Sequence, residues 1–468
     1  MKQHFLMKIN IVSILITKNL IKLKILRFMD KKIVLVGAGS AAFGPSMFTD
    51  IYLSDILAGS TIVLHDIDKE KLEMIYELLS AENKIIENKF NLERTTDRKV
   101  AFKDADFIIS SIEVGDRLKL WKQDYEIPKK FGSTQIMGEC GGPGGSIHAF
   151  RIIPHVIDIV KDAEKICPNA FFINFSNPMA RICLAIKRTN PNLRFIGLCH
   201  EIGGLEAHLI RMFNVKLENL RIITGGLNHF AFLLGLENRI TGEDLMPKFN
   251  LKAMEYFKAN DHRFDFSTLT FEIYKRFGFF SYGGDNHVGE YLQFAEEFTE
   301  TQDMIDWINR AENHGQKIFD RILRYYERLK KGKYPRKGML RIAPSGERAI
   351  PIIESILTDK NSHEAAVNIP NNGIIENLPQ DLILECSTIV NKSGVQGIKL
   401  GTIPKNIAAI LRIEASVQDL CVEAILKKSK DLAIACLAID PNVGSFEMAD
   451  KIFNEMRQLQ RDHLAYFR

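Results

Sequence analysis

The 468-residue chain has no apolar run of the roughly 18 residues that a membrane-spanning helix needs, so nothing in it points to a membrane. Cysteine is sparse and unpaired in pattern. Cys140, Cys167, Cys183, Cys199, Cys386, Cys421 and Cys436 are odd in number, widely spaced and free of any CxxC. This argues against a disulfide scaffold and fits a reducing, cytoplasmic compartment. An excess of one charge is missing too. Sixty-two Lys and Arg stand against 58 Asp and Glu, a formal net charge of +4, with the signs interspersed. No basic stripe with interleaved aromatics appears, which argues against nucleic acid as a partner. There is no internal repeat and no long linker. What is present is a globular composition, 46% hydrophobic and 26% charged, at a length that suits two intimately packed lobes.

The first 28 residues, rich in Lys and Ile, stand apart. Their apolar part, "INIVSILI", is short, and no A-x-A-like site follows it. Residues 1–29 therefore read as a disordered or helical extension, or as the product of an upstream start codon with Met29 as the natural start, in preference to a signal peptide.

Residues 30–204 read as a dinucleotide-binding lobe. Ile33–Val36 is a continuous β-branched run, expected to be a buried parallel strand. Gly37-Ala38-Gly39 makes a tight turn, and a helix is expected from about Ser40 or Ala41. Its amino end would offer backbone N–H groups to a pyrophosphate. Ala42 stands at the usual third glycine. A second strand, Ser60–Asp68, ends in Asp66 and Asp68, and an acid there favours NAD by bonding the ribose hydroxyl. Further strands are expected over Ala105–Ile112, 170–178 and 194–200. In such sheets ligands sit beyond the carboxyl ends of the strands. That places Asn177 and Cys199-His200 at the rim facing a nicotinamide.

The stretches "VGAGSAAFG", "DRLKLWKQDYEIPKKFG" (116–132), "GGPGG" (141–145), "NFSNPMA" (174–180), "GLCHE" (197–201), "GGLNHFAF" (225–232) and "NIPNNGIIENLPQD" (368–381) together resemble glycoside hydrolase family 4, the NAD- and manganese-dependent glycosidases. The resemblance implies an α/β fold. A Rossmann-type parallel sheet would be followed, over 205–468, by an α+β substrate and metal domain, on a lactate/malate dehydrogenase-like plan. It also implies Mn²⁺ or another divalent ion held by Cys199 and His229, a donor pair that suits first-row ions. Asn177 would contact substrate hydroxyls. His200 or Glu201 would serve as general acid. Asp285, in "FGFFSYGGDNHVGEY", would be the base, with Tyr282 the competing candidate and His287 close by.

The chemistry implied by the resemblance begins with oxidation at C3 of the sugar by NAD. The ketone acidifies the C2 proton, which the base removes, and the glycosidic oxygen leaves by elimination; water then adds and the cofactor is regenerated. Cys199-His200-Glu201-Ile202 is similar to the form found in α-galacturonidases. The expected substrate is therefore an α-linked galacturonate at the non-reducing end of a pectic oligosaccharide. Arg117, Arg341 and Arg348 are the candidates for its carboxylate. An α-glucosidase, α-galactosidase or α-glucuronidase is the alternative within the family. Outside it stand a lactate/malate-type dehydrogenase, which would accumulate NADH, and a non-catalytic NAD-binding regulator, which would bind no metal. A homodimer or homotetramer is usual for the family.

In the second lobe "RIITGGLNHFAFLLGLE" reads as a strand pair around Gly225-Gly226. Residues 301–334 read as a long amphipathic helix and 391–404 as a Gly-rich loop or hairpin. The tail reads as helices packing on the first lobe.

Overall fold

The computed structural model describes residues 30–259, 268–299, 301–335, 337, 338, 340 and 342–468. The 1–29 extension and Arg341 lie outside them. Among the described residues no helix is long and apolar enough to cross a membrane.

Eleven strands among these residues form one continuous sheet. The first six are β1 (Lys32–Val36), β2 (Thr61–His65), β3 (Asn91–Thr95), β4 (Phe107–Ser110), β5 (Phe171–Asn174) and β6 (Arg194–Gly197). They pair in parallel in the order β3-β2-β1-β4-β5-β6, the dinucleotide-binding order. Strand β3 was not foreseen: its residues are exposed or half-buried and carry no apolar run to betray it. The helix after β1 begins at Phe43, later than expected. Ser40 accounts for the delay, because its Oγ accepts from the Ala42 and Phe43 amides and holds the loop open.

The sheet then continues with reversed polarity. Strands β7 (Leu220–Leu227), β8 (Phe230–Asn238), β9 (Ser362–Pro370), β10 (Ile383–Asn391) and β11 (Gly394–Gly397) are antiparallel, and β9 joins β6 through Gly197 and Asn368. The expected boundary at 204/205 falls inside helix Ile202–Phe213, so no break separates the lobes there. Gly197 is required at the junction: a Cβ there would lie 2.4 Å from Met179 Sδ and 2.8 Å from Cys183 Sγ. The long amphipathic helix is found at Thr301–Lys330, and the 391–404 segment contributes the β10–β11 hairpin.

Helices cover both faces of the sheet. The C-terminal helices Lys405–Lys427, Lys430–Ile439 and Phe446–Leu459 share one apolar core with helices Gly142–Ile166 and Met179–Thr189 of the first lobe. That packing is the expected one. It also buries an ion pair, Arg181–Glu414, at 3.1 Å.

Candidate active site

The glycine turn after β1 opens on a cavity of about 670 Å³, lined at one end by Gly37, Gly39 and Asp66 and at the other by Glu113, Arg117 and Asn177. Gly37 adopts φ +88°, and a Cβ on it would stand 2.3 Å from the Ser111 carbonyl oxygen. Only glycine fits there. Asp66, just beyond β2, accepts from the Gly39 amide at 2.8 Å and from the Asp68 amide at 2.9 Å. Ser40, Ala41 and Asp68 also line the cavity, whereas Ala42 does not. The Asp68 carboxylate is committed as the N-cap of helix Lys69–Ile85, accepting from the Glu70 and Lys71 amides. Asp66 is likewise bonded to two amides, one of them in the glycine turn itself, so both strand-end acids stand at the cavity wall. A glycine cradle, a strand-end acid and this volume fit a dinucleotide.

From the cavity wall a chain of contacts leads inward. Asn177 Nδ2 lies 3.5 Å from Glu139 Oε1. Glu139 also accepts from Arg117 at 2.7 Å, and its amide donates to the buried Glu290 carboxylate. Glu290 Oε2 is 3.7 Å from His287 Nδ1, and the His287 ring lies over His229 with centroids 3.9 Å apart. The chain ends where His229 Nε2 stands 3.2 Å from Cys199 Sγ.

The sheet junction creates this thiol–imidazole pair. Cys199 follows the end of β6, and His229 sits in the two-residue reversal Asn228-His229 between β7 and β8. The reversal is not at Gly225-Gly226, as the glycines suggested. Those two residues lie within β7, where a Cβ on Gly225 would strike Leu400 and Leu234. His229 takes φ +61°, a left-handed backbone that histidine tolerates better than most residues. Burial, Glu385 and Glu201 push the Cys199 thiol well up, and burial with His287 and His200 pushes the His229 imidazole well down. A dication would reverse the first effect by stabilising the thiolate. The thiol and the imidazole stand at hydrogen-bonding distance, close enough for both to turn toward one ion, and the donor set suits a first-row dication.

Carboxylates surround the pair. Glu201 Oε1 lies 3.7 Å from His287 Nε2, and ring or carboxylate atoms of Glu201, His229 and His287 fall within 4.8 Å of one another. Burial would lower the His287 pKa, yet Glu201, Glu290 and Glu139 hold it up at about 9. His287 forms part of the wall behind the metal-ligand candidates. His200, by contrast, is 76% exposed and sits between Glu201 and Glu347. Sequence reasoning missed Glu385, a fully buried carboxylate on β10. It accepts from Tyr282 Oη at 2.9 Å, Asn228 Nδ2 at 2.7 Å and Asn368 Nδ2 at 3.1 Å. It carries no local signal, because its partners come from three distant segments.

Two expectations are corrected. The Asp285 carboxylate is not free to act as a base: its oxygens accept from the Leu269 and Thr270 amides, each at 2.8 Å, and from Thr270 Oγ1 at 3.0 Å. Asp285 satisfies the open amino end of helix Thr268–Phe277 from a neighbouring segment. Nor do Arg117 and Arg348, the two described candidates, wait for an anion. The Arg348 fork is filled by Glu364, at 2.7 and 2.8 Å, and Arg117 is held by Glu139 and Glu113.

Residues 32–215 match the family described as "Family 4 glycosyl hydrolase", and residues 224–443 match its C-terminal domain. An α-glucosidase of Erwinia rhapontici is 36% identical, over 94% of this chain and 100% of that protein. An α-galacturonidase of Thermoanaerobacter italicus is 28% identical, over 92% and 97%. The crystal structure of a 6-phospho-α-glucosidase from gut microorganisms, in complex with NAD and Mn²⁺, superposes with a TM-score of 0.78 at 23% identity, over 92% of this chain and 98% of that one. With both halves matched in order and the sheet built on the dinucleotide plan, the chain belongs to the family 4 glycosyl hydrolases.

Proposed function

We propose that the protein is an NAD- and divalent-metal-dependent glycosidase that cleaves a neutral α-hexoside, an α-glucoside first. The observation that carries the chemistry is the Cys199–His229 pair, 3.2 Å apart and linked by contacts to a glycine-cradled cavity ending at Asp66. When bound, NAD supplies reversible oxidation and the divalent ion supplies Lewis acidity. Gly37, Gly39 and Asp66 hold the dinucleotide, and Cys199 and His229 hold the ion. Asn177 orients substrate hydroxyls at the cavity wall. Glu201 takes the acid role over His200, because it faces the buried cluster and His200 faces solvent.

Tyr282 replaces Asp285 as the base. Its hydroxyl already donates to Glu385, which can take that proton as the phenolic oxygen accepts one from C2. The check is exchange of the C2 proton with deuterated solvent. Y282F is expected to lower both exchange and turnover about 10²–10⁴-fold. D285N is expected to lower thermal stability by releasing a helix end, with exchange per folded molecule retained. Loss of exchange in D285N alone would return the base to Asp285.

A neutral sugar is supported by the filled arginine forks, the ring of glutamates and the 36% identity to an α-glucosidase. The second reading is the galacturonate expected above, supported by Cys199-His200-Glu201-Ile202 and by the galacturonidase relatives. α-Linked glucose disaccharides and digalacturonate should be incubated with the protein, adding and omitting NAD, Mn²⁺ and thiol. Expected is glucose release that needs all three, with no build-up of NADH. Galacturonate release instead selects the second reading, and NADH accumulation without cleavage means a dehydrogenase.

A further inference from the structure

We infer that Glu113 is a specificity-determining residue: its carboxylate faces the sugar, accepts one of its hydroxyls and turns away a sugar that carries an acid. This deepens the neutral-sugar reading above and rests on it. Glu113 stands just beyond β4, at the cavity end that it shares with Arg117 and Asn177. Strands β2 and β4 flank β1 on opposite sides, so the acids after β2 and Glu113 mark the two ends of the cavity. A dinucleotide laid across the glycine turn puts its adenosine half toward β2 and its reactive half toward β4. The sugar must meet that reactive half, and the contacts that lead from Asn177 to Cys199 begin at the same end.

The carboxylate is fixed in place. Its Oε1 accepts from the Val114 amide at 2.9 Å and faces Nε2 of the buried His148 at 3.3 Å. The other ring nitrogen of His148 lies 3.0 Å from the Glu139 carbonyl oxygen. Oε2 faces Arg117 Nε at 3.7 Å, beyond hydrogen-bonding distance, and the guanidinium makes its shorter contact, 2.7 Å, with Glu139. Oε2 thus keeps room for a hydroxyl donor, and the side chain is 25% exposed. Burial would push the carboxyl up, yet His148 and Arg117 hold it down at about 2, so it is ionised near neutral pH. Two carboxylates, Glu113 and Glu139, share one guanidinium. The other described Lys and Arg on the cavity wall are spent too: Lys71 pairs with Asp68 at 3.0 Å and Arg98 with Asp162 at 2.9 Å. A sugar hydroxyl can donate to Oε2. A sugar carboxylate or phosphate would bring a second negative charge to it, with no described cation of the wall free to answer.

The test is calorimetric titration of the full chain with methyl α-glucoside and with methyl α-glucuronide, which differ only in a hydroxymethyl group against a carboxylate. Mn²⁺ is present, and NADH replaces NAD so that neither ligand turns over. The native protein is expected to bind the glucoside about 10-fold tighter or more. E113Q keeps the shape and removes the charge, and in it that ratio is expected to fall about 10-fold. A merely structural role would weaken both ligands alike and leave the ratio where it was. E113D keeps the charge and is expected to keep the ratio. On the native protein, added salt is expected to narrow the ratio by strengthening the glucuronide, because screening weakens repulsion. That measurement needs no variant and stands even if E113Q does not fold. An unchanged ratio in E113Q, or a salt-independent one, beside a native preference for the glucoside overturns the role of Glu113 alone. A native preference for the glucuronide, or binding of neither ligand, overturns the neutral-sugar reading itself, and this inference with it.

Discussion

Cys199→Ser is expected to lose turnover by about 10³-fold or more, the equivalent of about 4 kcal/mol of transition-state stabilisation. A serine hydroxyl stays protonated at neutral pH and offers a hard, neutral oxygen where a thiolate stood. Mn²⁺ affinity should fall with turnover. NAD affinity should not, because Gly37, Gly39 and Asp66 lie at the ends of β1 and β2, whereas Cys199 follows β6. The measurement is kcat/KM beside separate NAD and Mn²⁺ titrations. Oxidising the native protein should reproduce the loss, and thiol should reverse it, since only the thiolate ligates. Full activity in the serine variant would leave the thiol as core packing and remove the metal assignment.

The second large effect concerns stability. Arg181→Ala should destabilise the protein by about 3–5 kcal/mol, read as a drop in the urea midpoint. Arg181 and Glu414 are both buried, and their pair joins helix Met179–Thr189 of the first lobe to helix Lys405–Lys427 of the last segment. Removing the guanidinium leaves Glu414, whose carboxyl is already pushed up by burial to about 8, without its cationic partner in the core. Gln418 alone would remain to donate to Glu414, at 3.2 Å. The double variant R181M/E414L should recover most of the loss, because an apolar pair of similar volume carries no desolvation cost. A single variant as stable as the native protein would mean that water reaches the site.

The dinucleotide lobe was legible because its signals are local. A β-branched run, a glycine turn and an acid at the next strand end occupy neighbouring residues, and each constrains its own backbone. The strands it implied all formed, the first one residue longer and the other four shorter. Strand β3 escaped because an exposed strand carries no apolar pattern. Cys199 and His229 were named through likeness of motif, since 30 residues of separation carry no geometry. Asp285 misled for a related reason. An aspartate in a glycine-rich segment reads the same whether it faces a substrate or caps a helix, and the helix it caps starts 17 residues earlier.

The arginines, Glu290 and Glu385 were not legible, because their roles depend on partners far away in the chain. Arg117 could be a uronate site in the sequence; beside Glu139 and Glu113 it is already neutralised. Glu385 becomes a proton acceptor candidate only when β10 lies between β7 and β9, with Tyr282 reaching it from another segment. The sequence by itself therefore determined the parallel sheet, the nucleotide turn and the family, through patterns that span a few residues. Only the tertiary structure decided which charged groups are free and which are spent, because a carboxylate or guanidinium is defined chemically by what stands within about 3 Å of it.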